Sequence, residues 1–546
     1  MRRQLIACGL VLLSCLISCR GCREEPGPGS VLDLAAPDAR MVAYVPDTGQ
    51  LVGGVGQFLT RATKTGGKEA VRRFRESLKG QVGLDPLDLQ AYQGSGLSAK
   101  DGALIFEEAG GSEPLFAIGV ANREAFETKL EEIIEKVDGA NRYREATVAG
   151  VKVRTAGRPF GDELVPAFHW CFVGRFAILA RDAGHASLTH ALERWQGFAR
   201  QQPPPSLRAD PVYLQLARKV PAAPLSIFVR GQVADALAAA KAPLSGAMTA
   251  VTLDGAGVQS DTFLGLSVPG LDAALKAAPV AGLLSRVDPE AVVVLLSASA
   301  KADFIALLQR QPFFAELISR GLKPLAEATG IDPEREVLPG LAGPLSVALS
   351  LGSLRELPQR LKARRDLAAF VDLIQVAVIA DLADPKAFSA LLGRSQHTLQ
   401  ERGVRIRTRV ADVGGTKATV FEPDVKEPKL GWTVVGGRYV YAAGTGRLDA
   451  TLKLLAAGKS ALEGRLASSV AKAFVDESGA SVLLLRLGGI ADAAMTMPVG
   501  GGKVSGMGVE AVFGALVEIL RTLGDVAFAV SAEPDGLRLR VSERLQ

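Results

Sequence analysis

Histidine, cysteine and asparagine are scarce in this chain, and each shortage removes a class of chemistry. Its 546 residues hold four His and five Cys, and Asn stands only at 122 and 141. No Cys/His cluster has the spacing of a zinc module, and no disulfide framework is written into so few cysteines. His169 and Cys171 fall on one face of a strand, the arrangement of ordinary packing. His185 and His190, five apart, would point roughly 140° away from each other on a helix. Neither a metal site nor a cofactor is therefore expected. An excess of one charge is also missing: 63 Lys+Arg against 58 Asp+Glu leave a formal +5. That is too weak a field for nucleic acid at this length. A hydrophobic share of 48% and a mean hydropathy of +0.20 would suit a membrane protein. Yet the one uninterrupted long apolar run is at the N-terminus.

Signatures of catalysis are lacking too. There is no Gly-x-Ser-x-Gly elbow and no dinucleotide fingerprint. The run from Lys453 to Ser460 ends like a phosphate-binding loop, but Lys453 replaces its first Gly and a helix leads into it. Gly458 reads instead as a helix C-cap. Ser469 and Lys472 have the serine–lysine spacing of penicillin-recognising enzymes, and Lys64-Thr65-Gly66 matches their third motif. The order along the chain is wrong, and no Ser-x-Asn exists. The chain is expected not to be an enzyme.

What is present begins with an address. Met1-Arg2-Arg3-Gln4 is cationic, and residues 5–18 are apolar or small throughout. Fourteen residues at ~1.5 Å each fall short of the ~30 Å hydrocarbon core, so this is a cleaved signal and not a span. Leu16-Ile17-Ser18-Cys19 resembles a bacterial lipobox, which implies acylation of Cys19 and loss of residues 1–18. Removing them takes two Arg and no acid, so the formal charge falls from +5 to +3. Several acyl chains hold a protein stably where one does not. Residues 19–30 are then the lipidated Cys and a polar, Gly/Pro-rich tether. No Asp follows Cys19. By resemblance to lipoprotein sorting in Gram-negative bacteria, this implies an outer-membrane position facing the periplasm. After processing and acylation only Cys22 and Cys171 remain, and no disulfide is expected.

The rest of the chain is written twice. Gly83-Leu84-Asp85-Pro86 recurs as Gly330-Ile331-Asp332-Pro333. Phe116-Ala117-Ile118-Gly119-Val120, leading to Ala125-Phe126, recurs as residues 378–382 leading to Ala387-Phe388. Val173-Gly174-Arg175-Phe176 recurs as Gly436-Gly437-Arg438-Tyr439, and residues 225–231 recur near 482–488. Each half closes with a hairpin, through Asp254-Gly255 and Asp535-Gly536, whose glycines are expected to supply positive φ. Copy one is placed at 31–275 and copy two at 276–546. Periodicity predicts a strand at 41–45, helices at 51–63 and 69–82, and paired strands at 103–106 and 115–120. A helix over 123–137 puts Phe126, Leu130, Ile133, Ile134 and Val137 on one face. Strand pairs 146–148 with 151–153 and 168–173 with 176–179 follow, then helices at 183–200 and 211–220. Strands arriving in adjacent pairs predict an α+β fold: two tandem copies of a largely antiparallel sheet with helices packed on it. With its Gly-Ile/Leu-Asp-Pro elements and its Val-Gly-Arg-aromatic turn, the chain resembles a family of extracytoplasmic bacterial proteins carrying a domain of unknown function.

Two insertions distinguish the copies. Copy two gains 15 residues before its third strand, including Arg355, Arg360, Lys362, Arg364 and Arg365 among leucines. This reads as an amphipathic basic helix for anionic headgroups or a protein partner. It gains again before its last hairpin, where Met495, Met497, Gly501 and Met507 fall in one predicted mobile loop. The leading expectation is a lipid-anchored cell-envelope protein that binds an envelope partner or scaffolds an assembly. A carrier or chaperone for an apolar ligand such as a lipid is the alternative, and an enzyme of unrecognised type comes last.

Overall fold

The computed structural model describes residues 27–545 other than 65–67, 83–84, 86, 110, 112, 161–162, 182–183, 232–243, 267–279, 302–322, 324–325, 328–329, 353–372, 402–406, 422–429, 460–461, 463–474, 476–480 and 496–522. The chain divides into two compact units, residues 1–52 with 78–214 and residues 53–77 with 215–546. The boundaries at 52/53 and 77/78 fall inside two helices, α1 (Thr48–Ala62) and α2 (Lys68–Val82).

The first unit contains β1 (Met41–Val45), α3 (Leu89–Gly94), β2 (Ala103–Glu107), β3 (Leu115–Gly119), α4 (Arg123–Asp138), β4 (Arg142–Val148), β5 (Val151–Phe160), β6 (Glu163–Val173), β7 (Phe176–Arg181) and α5 (His185–Ala199). Its strands lie in the order β4–β5–β6–β7–β3–β2–β1, and every pairing is antiparallel. Alternation gives this sheet two apolar faces. On one, Phe126, Leu130 and Ile134 of α4 pack with Ile118, Ala156, Trp170, Ala177 and Leu179. On the other, α5 buries Leu188, Ala191, Leu192 and Trp195, whose ring lies 6.3 Å from that of Phe106. Each large apolar side chain buried this way contributes roughly 1.5–3 kcal/mol.

The ends of α4 show why it sits where it does. The Asn122 side chain accepts from Ala125 N at 3.2 Å, and Gly139 closes the helix at φ 63°. Gly96, at φ 82°, accepts at its carbonyl from Ala121 N and Asn122 N. A Cβ there would stand 2.3 Å from the Asn122 carbonyl oxygen, so only glycine lets the turn after α3 meet the start of α4.

The second unit holds the end of α6 (Pro211–Ala217), β8 (Leu225–Arg230), β9 (Leu244–Asp254), β10 (Gly257–Leu266), β11 (Val293–Lys301), β12 (Leu341–Leu351), β13 (Ile374–Leu382), α7 (Pro385–Glu401), β14 (Thr408–Val413), β15 (Thr416–Phe421), β16 (Leu430–Val435), β17 (Arg438–Ala443), α8 (Arg447–Ala457), β18 (Ser481–Arg486), α9 (Leu487–Met495), β19 (Leu523–Glu533) and β20 (Gly536–Leu545). The order is β8–β9–β10–β20–β19–β18–β11–β12–β13–β17–β16–β15–β14, again antiparallel throughout. From β14 to β11 this is, strand for strand, the order of the first unit. The helices match too: α7 follows β13 as α4 follows β3, and α8 follows β17 as α5 follows β7. Phe388 and Leu391 of α7 pack with Ile331 and Leu382, and Leu448 and Leu452 of α8 pack with Val420 and Val440.

The α+β class expected from the sequence is the one adopted. Individual elements differ from expectation. β5 and β6 run far beyond 151–153 and 168–173, making one long hairpin. The closing-turn glycines Gly255 and Gly536 are not at positive φ. In the first closing turn the Asp254 carboxylate accepts from Ala256 N and Gly257 N at 2.6 and 3.2 Å, and the positive φ falls on Gly257. Met495 ends a helix instead of opening a loop. Among the described residues no helix is long and apolar enough to cross a membrane.

Candidate functional site

A cleft of about 890 Å³ opens in the first unit near the β4–β5 turn. Its walls come from the start of α4, the last turn of α5 and the ends of β5 and β6. Strand register explains the opening. The β5–β6 ladder runs from Phe160↔Glu163 to Val153↔Cys171, while β5 itself begins at Val151 and β6 continues to Val173. Val151 and Lys152 stay with β4, opposite Val148 and Thr147. Phe172 and Val173 stay with β7, opposite Ala177 and Phe176. The two strands thus part at this end, and residues from both line the space between.

Arg154 organises the polar wall. Strand pairing sets it beside Glu145 on β4 and Trp170 on β6. Glu127 and Glu131 are one turn apart on α4 and reach it at 3.1 and 2.7 Å. Glu145 stands 3.4 Å from its Nε. The guanidinium also lies 5.1 Å from the Trp170 ring centroid and 5.6 Å from that of Tyr143. Trp170 is fully buried, and its Nε1 donates to Glu127 at 3.0 Å. Burial disfavours the Arg154 charge, but the carboxylates of Glu127 and Glu131 outweigh it and raise its pKa. Lys152 donates to Glu145 and holds that carboxyl below its usual range.

The rim is cationic and aromatic. Arg123 lies 5.0 Å over the Phe172 ring and donates to the Gly174 carbonyl at 2.7 Å. Arg200 closes the α5 side and donates to Gln196 at 3.2 Å. Four of the lining side chains are cations (Arg123, Lys152, Arg154 and Arg200), and two are acids (Glu127 and Glu145). Cys171 also borders the cleft, but burial pushes its thiol up to about 12. It is protonated at neutral pH and carries little nucleophilic character. The carboxylates are committed to Arg154 and Lys152. What this arrangement offers is recognition of negative charge beside apolar surface.

Cys19, the cations Arg355, Arg360, Lys362, Arg364 and Arg365, and Met497, Gly501 and Met507 are outside the described residues. His169 is buried, with Thr155 Oγ1 2.9 Å from its Nδ1 and the His185 ring 4.6 Å away. Among the described residues no group of three or more His, Cys, Asp or Glu could hold a metal. The cleft itself escaped sequence reasoning. Its signal was the Glu127/Glu131 pair one turn apart on a helix that precedes a strand with an inward Arg.

The chain matches no protein-family model, and no curated protein is similar enough to count as a relative. Among solved structures it is similar to crystal form III of TP0453, at 10% identity and a TM-score of 0.24, over 43% of this chain and 79% of that one. Crystal form I of TP0453 aligns at 12% identity and a TM-score of 0.22, over 48% of this chain and 92% of that one. Likenesses this low say nothing about activity.

Proposed function

We propose that this chain is a lipid-anchored cell-envelope protein, on the outer membrane facing the periplasm, that works without catalysis by binding a partner. The observation carrying the binding half is the cleft in the first unit, whose charged groups are arranged to hold a ligand and not to move protons. The anchoring half rests on the Leu16-Ile17-Ser18-Cys19 motif. The chain enters the fold beside the cleft: Gly27 packs against Gly174, and Arg175 donates to the Gly29 carbonyl at 2.8 Å. The seven residues between Cys19 and Gly27 span at most ~25 Å, so an acylated Cys19 keeps this end of the first unit near the bilayer. Exposed apolar side chains at the other end of the β5–β6 hairpin, Phe160 at 73% and Val165 at 50%, add surface for a partner.

Duplication belongs to the same reading. The shared strand order of β1–β7 and β11–β17, and the matched positions of α4 with α7 and α5 with α8, support two copies of one ancestral domain. In both Gly-Ile/Leu-Asp-Pro elements the Asp carboxylate accepts from a nearby downstream backbone N–H, Asp85 Oδ1 from Leu87 N two residues on and Asp332 Oδ1 from Arg335 N three residues on.

The anchor is tested by metabolic labelling with palmitate. The parent chain is expected to incorporate label and to fractionate with membranes, and Cys19→Ala to lose both. Label retained in Cys19→Ala would remove the proposed anchor.

A further inference from the structure

Resting on the binding reading above, we infer that the cleft takes an acidic peptide segment in extended conformation, laid between β5 and β6 where they part. Three observations converge on this occupant. First, Val151 and Lys152 on one side and Phe172 and Val173 on the other lie beyond the last β5–β6 pair, while each strand remains paired on its outer flank. The inner flanks offer main-chain groups to an added strand, which is how β-augmentation gains affinity. Second, cations outnumber acids four to two around the opening. Lys152 and Arg200 are exposed at its rim. Third, the volume of about 890 Å³ is that of a site for a short peptide or small ligand.

The main-chain geometry separates this occupant from a lipid headgroup. A headgroup would answer the rim charges but has no backbone to pair with the strands. Alternate side chains of an inserted segment point to opposite faces of the sheet. One set meets Arg123 and Phe172 on the α4 side, and the other meets Arg200 and Phe198 on the α5 side. Carboxylates in such a segment would sit among the rim cations, as electrostatic complementarity requires.

The test uses the purified full chain and a fluorescein-labelled acetyl-EEIEE-amide peptide, with acetyl-KKIKK-amide as control. The acidic peptide is expected to raise anisotropy in a salt-dependent manner, and the basic one not to bind. Hydrogen exchange is expected to slow at amides within 151–152 and 172–173 when the acidic peptide is present. The double variant Lys152→Glu/Arg200→Glu, altered only at exposed positions, is expected to keep its thermal melt and lose about tenfold in affinity. Binding without amide protection, or binding indifferent to the double variant, would overturn the proposal. So would phosphatidylglycerol vesicles taking the place of the peptide with the same variant dependence. Tighter peptide binding in Glu24→Gln/Glu25→Gln would assign the cleft to the chain's own N-terminal segment and overturn it as well. If crosslinking captures a partner away from the cleft while the peptide fails to bind, this inference falls and the anchored-binding reading stands.

Discussion

Single half-buried carboxyls in this protein show burial and pairing pulling in opposite directions. Glu543 on β20 sits opposite Val258 and Val526, and its Oε1 has no hydrogen-bond partner among the described residues. Burial raises its pKa above the ordinary 4.5. A carboxyl raised in the fold contributes stability that is complete below the unfolded value and is lost as pH rises through the folded one. Burying the Glu543 carboxylate in its charged form therefore opposes folding once the pH is above the unfolded value. Glu543→Gln is expected to be more stable than the parent at pH 7 in chemical denaturation, and the gap is expected to close below about pH 4.5. A gap that widens on acidification would refute that assignment. Asp535 behaves in the opposite way, because Lys219 donates to it at 2.7 Å and holds its carboxyl below the usual range. Neither behaviour was legible in the sequence, since strand alternation leaves both faces open to Glu or Asp until the neighbours are known.

At the level of elements, α4 was the most legible piece. Its stripe of Phe126, Leu130 and Ile134 is buried as the periodicity predicts, whereas Val137 is exposed. The long β5–β6 hairpin was hidden. Pro159 and Pro166 interrupt the apparent strand pattern, because proline cannot donate to a ladder. The structure accommodates both toward the outer end of the hairpin, with a register shift at Ala156/Gly157 and Pro166 opposite Gly157. What ties α4 to this hairpin is Arg154, which reaches α4, β4 and the Trp170 ring together. Replacing it by Met leaves Glu127 and Glu131 facing each other without their cation. Arg154→Met is expected to lower stability by about 2 kcal/mol in urea unfolding with an unchanged m value. A loss indistinguishable from zero would reduce the cluster to surface decoration.

For the molecule as a whole, β20 decides more than its place at the end of the chain suggests. It lies inside the second unit's strand order, pairing with β10 along Gly257↔Arg544 to Gly265↔Gly536 and with β19 on its other side. Asp261 of β10 stands 3.4 and 3.6 Å from Arg538 and Arg540 of β20, and Arg538 also reaches Glu533. Deleting residues 536–546 would open two long strand edges, a template for intermolecular pairing. The truncated chain is expected to go to the insoluble fraction on expression, under conditions in which the full chain does not. A soluble, monomeric truncation by light scattering would contradict the role given to β20.

The sequence alone determined the α+β class, because adjacent strand pairs and amphipathic helices are local patterns that must bury one face wherever they end up. It also carried the lipobox-like motif and the repeated motifs, which are matters of covalent order. Only tertiary structure decided that β5 and β6 part to leave a cationic cleft, that Arg154 joins a helix to two strands, and that β10 meets β20. Those contacts join residues tens to hundreds of positions apart. Register, burial and the balance of desolvation against pairing are properties of such meetings, and no local window of sequence contains them.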